Sequence, residues 1–489
     1  MQKYTAIVIG SGPAGHTCAV RLAQLGARVA VVERDYVGGI CTNWGCTPSK
    51  SMIESAKIAR VVRESARYGV HVAGMSVDFQ EVAARRDDVI LRSREAVVAL
   101  LRHHDVHIYQ GEADVVGPGQ VKVCRGKLDR DGLVMHYSGR EEDLHAEHII
   151  LATGSVPAQP EFARADDPFI VSSNRLITIG ELPRRLTIVG GGVIGLEFAT
   201  IFSNLGSQVT LIEFRERVLG GMDPDISAAI TREMEAAGVR ILTDHRVFSL
   251  ASGVAYAENR ATHEALEVPS DAILIATGRR PVIQTGMFDR LGIAYDEQGI
   301  GVDEYLRTNV PGVWSIGDAT GKSVLAHVGM QQGIVAAENI MAEPGAALRR
   351  MDYSVIPAVV YSIPEVVGVG QVPADLEGVS VYSVPFAVNL RARIEAYDAG
   401  FVKIWVRHER VLAAQAIGHN VSEIMQELTN MIALKTPVAD VADLIHAHPT
   451  YSEITRSVLE YAVGKEVDFV PGGGKPSSTD GTDSTDEKP

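Results

Sequence analysis

Apolar residues along this chain fall into short continuous runs separated by glycine turns and longer amphipathic stretches, which predicts buried strands alternating with helices. Ala6-Ile7-Val8-Ile9 is such a run, followed by Gly10-Ser11-Gly12-Pro13-Ala14-Gly15; Leu186-Thr187-Ile188-Val189 is another, followed by Gly190-Gly191-Gly192-Val193-Ile194-Gly195. The copies keep step at an offset of 180 residues: Gly26 answers Gly206, Val29 answers Val209, and the acid Glu33 answers Glu213. Each reads as strand, glycine turn, helix, second strand and acid. Gly10, Gly12 and Gly15, and Gly190, Gly192 and Gly195, would allow a tight turn and let backbone N–H groups approach a pyrophosphate, with Glu33 and Glu213 placed for a ribose hydroxyl. Two separate dinucleotide-binding folds follow.

A second matched pair marks the edges of these folds. Ile149-Ile150-Leu151 and Ala272-Ile273-Leu274-Ile275 each run into Ala-Thr-Gly, ending in Thr153-Gly154 and Thr277-Gly278. From about Tyr353 the texture changes to strand-like runs (Ala358 to Tyr361, Val366 to Val369, Phe401 to Val406) and then amphipathic helices, an α+β module. The final stretch, 471–489, is Gly, Pro, Ser, Thr and Asp without apolar period and reads as a disordered tail.

Composition narrows the class. A chain of 489 residues is long enough for several domains, and a formal charge of −15 argues against nucleic acid or an anionic membrane as partner. No stretch approaches the ~18 to 20 apolar residues of a membrane span. The first strand begins within a few residues of Met1, leaving no room for a signal peptide, so a cytoplasmic compartment is expected.

In that compartment structural disulfides are rare, which draws attention to Cys41 and Cys46 in Gly38-Gly39-Ile40-Cys41-Thr42-Asn43-Trp44-Gly45-Cys46-Thr47-Pro48-Ser49-Lys50. Pro48 predicts a helix start there, with Cys46 where the helix dipole favours a thiolate. A thiolate beside a redox cofactor can pass electrons to a disulfide. Cys18, on an apolar helix face, and Cys124, in a strand-like run, read as packing residues. Lys50 lies one helical turn beyond Cys46. Near the far end, His446-Ala447-His448-Pro449-Thr450-Tyr451-Ser452-Glu453 offers a histidine able to trade protons near neutrality. With no cysteine after Cys124 and no third ligand evident, a metal is not expected there.

These motifs, in this order, resemble the flavin-dependent pyridine nucleotide-disulfide oxidoreductases from the first strand to about residue 470, and most closely the dihydrolipoamide dehydrogenase branch. The resemblance implies an α/β chain with an FAD-binding domain at 1–152, an NAD-binding domain at 153–278, a return to the FAD domain at 279–350 and a C-terminal α+β dimerisation domain at 351–470. It implies that Cys46 contacts the flavin and Cys41 exchanges with substrate. His448 would be the general acid/base oriented by Glu453, and Lys50 and Glu197 would pair beside the flavin. Asp318, in Val313-Trp314-Ser315-Ile316-Gly317-Asp318, would bind the ribityl chain, and Val324-Leu325-Ala326-His327 would pass beneath the ring. His446 is expected to be structural.

Glu213 favours NAD over NADP, because a carboxylate accepts from a 2′-hydroxyl and repels a 2′-phosphate; Arg215 and Arg217 are the residues that would reverse this. The expected activity is electron transfer between dihydrolipoyl groups and NAD by a homodimer. Its partner would be a lipoyl-bearing protein, such as the acyltransferase core of a 2-oxoacid dehydrogenase complex, or a small dithiol or disulfide. A related reductase of another disulfide is the first alternative, and an FAD-bound assembly subunit of an acyltransferase complex the second. Thr42, Trp44 and Tyr451 depart from the family pattern, where aliphatic residues are usual.

Overall fold

The computed structural model describes residues 2–128, 135–163 and 167–470, so the tail predicted at 471–489 lies outside the described residues. The described residues fall into two compact units, 2–214 with 242–351, and 215–241 with 352–470.

The 180-residue repeat is a repeat of register. In the first sheet Gln2–Ile9 runs parallel to Val29–Glu33 with Ala6 opposite Val29; in the second, Arg185–Val189 runs parallel to Gln208–Ile212 with Leu186 opposite Val209. On its other side each first strand pairs with the strand ending in Ala-Thr-Gly: Ile9 opposite Leu151, and Val189 opposite Ile275. The apolar runs are continuous because these strands are covered on both faces. Ile7, Val8, Val31 and Ile150 are fully buried in the first sheet, and Ile188, Leu211 and Ile273 in the second. The chain returns to the first sheet through Val313–Ser315, parallel to Met135–Leu151. Two short strands, Ser155–Pro157 and Arg279–Pro281, pair antiparallel where the chain passes between the two nucleotide folds.

In the second unit five antiparallel strands lie in the order Ala358–Val360, Glu365–Gly370, Arg410–Gly418, Phe401–Arg407, Ser380–Pro385. Helices Gln426–Leu434 and Glu453–Ala462 pack Leu428, Met431, Ile454 and Val458 into the same core as Val367, Phe386 and Ile404. Contacts divide the chain differently from the linear reading in one segment: Arg215–Ile241 groups with this unit instead of with the rest of 153–278. The cause is polar. Lys403 Nζ bonds Asp223 Oδ1 (3.0 Å) and Asp225 Oδ2 (2.8 Å), and Gln415 Oε1 accepts from the Asp223 N–H at 2.9 Å.

Candidate active site

The two cysteines stand on consecutive helices. Gly38, at φ 99°, caps the short helix Gly39–Trp44 that carries Cys41, and Gly45 separates it from Cys46–Arg63, in which Cys46 is the first residue. Gly39 lies so close to the first glycine turn that a Cβ there would come within 2.7 Å of Gly12 Cα. Asn43 closes the segment: its Nδ2 donates to the carbonyls of Gly39 (2.8 Å) and Val37 (3.2 Å), and Arg94 Nε donates to its Oδ1 at 3.0 Å. Trp44 packs its ring 6.2 Å from that of Tyr36, which lies 3.4 Å beneath the Arg94 guanidinium.

Both cysteines are thiols in the structure, and they are unequal. A hydrogen bond from Cys41, helped by the Lys50 charge, lowers Cys46 to about 7 against the opposing pull of desolvation and Glu197. The same hydrogen bond, and burial after it, raise Cys41. Cys46 is therefore the member of the pair that ionises first, and Cys41 the one that keeps its proton. The sign yields a test. Cys41→Ala removes the donor, so Cys46 ionisation in the reduced protein should move up from about 7 towards the ordinary thiol range, read by thiolate absorbance near 240 nm against pH. An unchanged or lower value would remove Cys41 as the cause.

Lys50 Nζ makes two bonds of 2.9 Å to Glu197, whose carboxylate is buried on the helix Val193–Leu205. The glutamate side chain is 8% exposed and the lysine 34%. The glutamate is thus the buried member of the pair and the lysine the partly exposed one.

The glycine turns separate what the fold needs from what a ligand needs. A Cβ on Gly10 would meet Ala152 O at 2.3 Å and one on Gly15 would meet Gly10 O at 2.0 Å; the matching distances for Gly190 and Gly195 are 2.5 Å (Ala276 O) and 1.9 Å (Gly190 O). The first and third glycines of both turns are thus demanded by protein packing. The middle ones are not, since nothing lies within 4 Å of a Cβ on Gly12 or Gly192. Both middle glycines stand as N-caps, of helices Pro13–Gln24 and Val193–Leu205, leaving helix N–H groups approachable from outside. These residues fit pyrophosphate-containing cofactors in both turns. The acids are held alike: Glu33 Oε2 accepts from Ser11 N–H (2.8 Å) and Ser11 Oγ (2.6 Å), and Glu213 Oε2 accepts from Gly191 N–H (2.5 Å). Burial raises Glu33 above the usual carboxylate range.

Asp318 lies in the turn Gly317–Thr320, and Ala326 opens the helix Ala326–Ile340. Two residues absent from the sequence reading hold Asp318. Ser155 Oγ donates to Asp318 Oδ2 at 2.5 Å, and Arg279 donates from Nε to Ser155 Oγ and from Nη2 to Ser155 O, both at 2.8 Å. Their signal was available, because each directly follows one of the matched motifs ending in Gly154 and Gly278. Thr153 Oγ1 donates to Val282 O at 3.3 Å beside them. Desolvation raises Asp318, with Ser155 and Arg279 opposing.

The second unit holds the histidine segment. His448 Nδ1 lies 2.8 Å from Glu453 Oε1, and the Thr450 N–H donates to Glu453 Oε2 at 2.8 Å. Glu453 is the first residue of its helix, where the dipole favours a carboxylate. The His448 side chain is 64% exposed, whereas His446 is 8% exposed and held between Glu427 Oε1 and the Leu444 carbonyl, each at 3.1 Å. Of these two rings, that of His448 is exposed and that of His446 is buried. Among the described residues no group of three or more His, Cys, Asp or Glu is placed to hold a metal ion, and no helix is long and apolar enough to cross a membrane.

Two nucleotide-binding folds, a dithiol at the first of them and a lysine–glutamate pair beside it define a flavin- and pyridine nucleotide-type disulfide reductase architecture. The chain belongs to the pyridine nucleotide-disulphide oxidoreductase family, whose model matches residues 4–333, with that family's dimerisation domain matching 356–458. Its curated relatives include dihydrolipoyl dehydrogenases of Chlamydia muridarum, 34% identical over 96% of this chain and 99% of that protein, and of Geobacillus stearothermophilus, 34% identical over 95% and 97%. Among solved structures, the Cu(II) complex of the HOCl-induced flavoprotein disulfide reductase RclA from Escherichia coli matches with a TM-score of 0.82 and 27% identity, covering 94% of this chain and all of that one.

Proposed function

We propose that this chain is an FAD-dependent dihydrolipoyl dehydrogenase that moves electrons between dihydrolipoyl groups and NAD. The observation that carries the reading is the unequal dithiol, a Cys46 thiolate beside a protonated Cys41, set against the first glycine turn with Lys50 and Glu197 paired next to it. Identity to dihydrolipoyl dehydrogenases over nearly the whole chain supports the substrate class.

In the oxidised enzyme Cys41 and Cys46 would share a disulfide. A substrate thiolate attacks Cys41 Sγ, the Cys41–Cys46 bond breaks and Cys46 leaves as the thiolate that its environment favours. The second substrate thiol then attacks its own sulfur in the mixed disulfide and releases Cys41. Two protons leave the substrate and two electrons stay on the dithiol. His448 takes protons from the substrate thiols, and Glu453 keeps the ring turned by its bond to Nδ1, leaving Nε2 to work. Bound FAD supplies the path for the electron pair from Cys46 to the nicotinamide. Lys50 offers a positive charge beside that path and Glu197 balances it. Gly10, Gly12, Gly15, Glu33, Thr153, Gly154, Asp318 and Ala326 would hold FAD, and Gly190, Gly192, Gly195, Glu213 and Gly278 would hold NAD. The dimerisation-domain match supports a homodimer. A lipoyl-bearing protein in the cytoplasm is the partner this chemistry asks for.

Trp44 and Thr42, unusual in the redox segment, favour a second reading: a reductase of another disulfide. Steady-state turnover of dihydrolipoamide with NAD, glutathione disulfide with NADH, and both with the phosphorylated nucleotides separates the two. Dihydrolipoamide with NAD should be the fastest combination. Glu213 adds a magnitude: a lost charge-assisted bond plus repulsion of about 2–4 kcal/mol gives a roughly 30- to 1000-fold preference for NAD in kcat/KM. Equal efficiency with NADP would mean that Arg215 or Arg217 governs the site.

A further inference from the structure

Tyr451 stands where the resembled family has an aliphatic residue, inside the segment that carries the acid/base pair, and the chemistry above makes no use of it. Its surroundings are specific. The hydroxyl donates to Glu395 Oε2 at 2.9 Å, and Glu395 is also paired with Arg391, one helical turn earlier. Its ring lies 6.4 Å from Phe386 and 5.4 Å from His419, which itself stacks on Tyr397 at 4.2 Å and 9°. On the other side of the peptide bond, Thr450 is held from both ends: its carbonyl accepts from Asn389 Nδ2 at 3.1 Å, and its N–H donates to Glu453.

The stretch Asn389–Glu395 therefore grips the histidine loop twice, once through the Thr450 carbonyl and once through the Tyr451 hydroxyl. The N–H that fixes the Glu453 carboxylate belongs to Thr450, the residue whose carbonyl forms the first grip and whose neighbour Tyr451 forms the second, and that carboxylate fixes the His448 ring. A leucine could fill the space beside Phe386 but could not reach Glu395 with a hydrogen bond. Desolvation and the bond to Glu395 raise the phenol above its ordinary range, so Tyr451 stays a donor at working pH.

We propose that Tyr451, through Glu395, is a positioning residue for proton transfer: it holds the Thr450 backbone that orients Glu453 and, through Glu453, His448. The inference rests on the dithiol chemistry proposed above. Proton transfer is sensitive to donor–acceptor placement, so a loosened loop should slow the thiol half of the reaction and leave the nicotinamide half alone.

The experiment uses the FAD-loaded enzyme and its Tyr451→Phe variant, which keeps the ring and loses the hydroxyl. Stopped-flow reduction by dihydrolipoamide and by dithiothreitol should slow about 5- to 50-fold, with a larger solvent deuterium isotope effect, while reduction by NADH stays within about twofold. Hydrogen exchange at the Thr450 amide should quicken, with the rest of the fold unchanged. Glu395→Ala, which also loses the Arg391 pair, should slow the same half-reaction, and the double variant should be no slower than Glu395→Ala alone, because the Tyr451–Glu395 bond is already lost in it. An unchanged dithiol rate in Tyr451→Phe, equal slowing of both half-reactions, or multiplied effects in the double variant would overturn the proposal. Wild-type enzyme that reacts with dithiothreitol and not with dihydrolipoamide would count against the substrate reading, and the Tyr451 comparison would then be read with dithiothreitol alone.

Discussion

Cys46→Ser should lower turnover of dihydrolipoamide with NAD by at least about a thousandfold, because no Cys41–Cys46 disulfide can then form. Cys41→Ser should be as inactive, yet the two variants should differ in colour. With Cys41 replaced by serine a hydroxyl can still donate to Cys46, which remains a thiolate, so the FAD-loaded protein should show a long-wavelength absorption band without added reductant. Cys46→Ser should lack that band while binding FAD and still passing electrons from NADH to ferricyanide, an acceptor that needs no thiol. The assignment comes from the inequality of the pair: the Cys46 thiol is pulled down to about 7 by the Cys41 hydrogen bond and the Lys50 charge, while Cys41 is pushed up. A band in Cys46→Ser and none in Cys41→Ser would reverse the two roles.

His448→Gln should slow reduction of the enzyme by dihydrolipoamide about 10²- to 10⁴-fold, the usual worth of a positioned proton acceptor, with reduction by NADH within about threefold of wild type. Glutamine is the informative replacement because its amide N–H can still donate to Glu453, so the Thr450–Glu453 contact that shapes the loop survives. His446→Gln acts as the control. His446 is locked between Glu427 and the Leu444 carbonyl, so its loss should register mainly as lower thermal stability. Comparable slowing of the two half-reactions in His448→Gln would remove His448 as the proton acceptor.

Much of the candidate site is local and was legible from spacing alone. The strand–glycine–helix repeat could be read because burial on both faces forces continuous apolar runs, and because the first and third glycines of each turn have no room for a Cβ. Cys46 at a helix start, with Lys50 one turn later, is likewise a matter of backbone geometry over five residues. The roles given to Lys50, Glu197, Asp318, His448 and Glu453 came from resemblance. Of these, composition and periodicity alone would have singled out the histidine segment at most.

What only the tertiary structure decided is which distant side chains meet. Glu197 reaches Lys50 across 147 positions, Ser155 reaches Asp318 across 163, and Glu395 reaches Tyr451 across 56. The bonds from Lys403 and Gln415 to Asp223, across 180 and 192 positions, are of the same kind. So is the difference between two histidines two positions apart, one accessible and one locked by Glu427. Backbone periodicity records which face of an element is buried. It carries no trace of which polar partner the fold will bring against that face, because an ion pair or hydrogen bond depends on distances of a few ångströms that packing of the whole chain sets. The sequence by itself therefore determined the elements, their repeat and the redox thiols, and the packing decided how the charges and protons around those thiols are held.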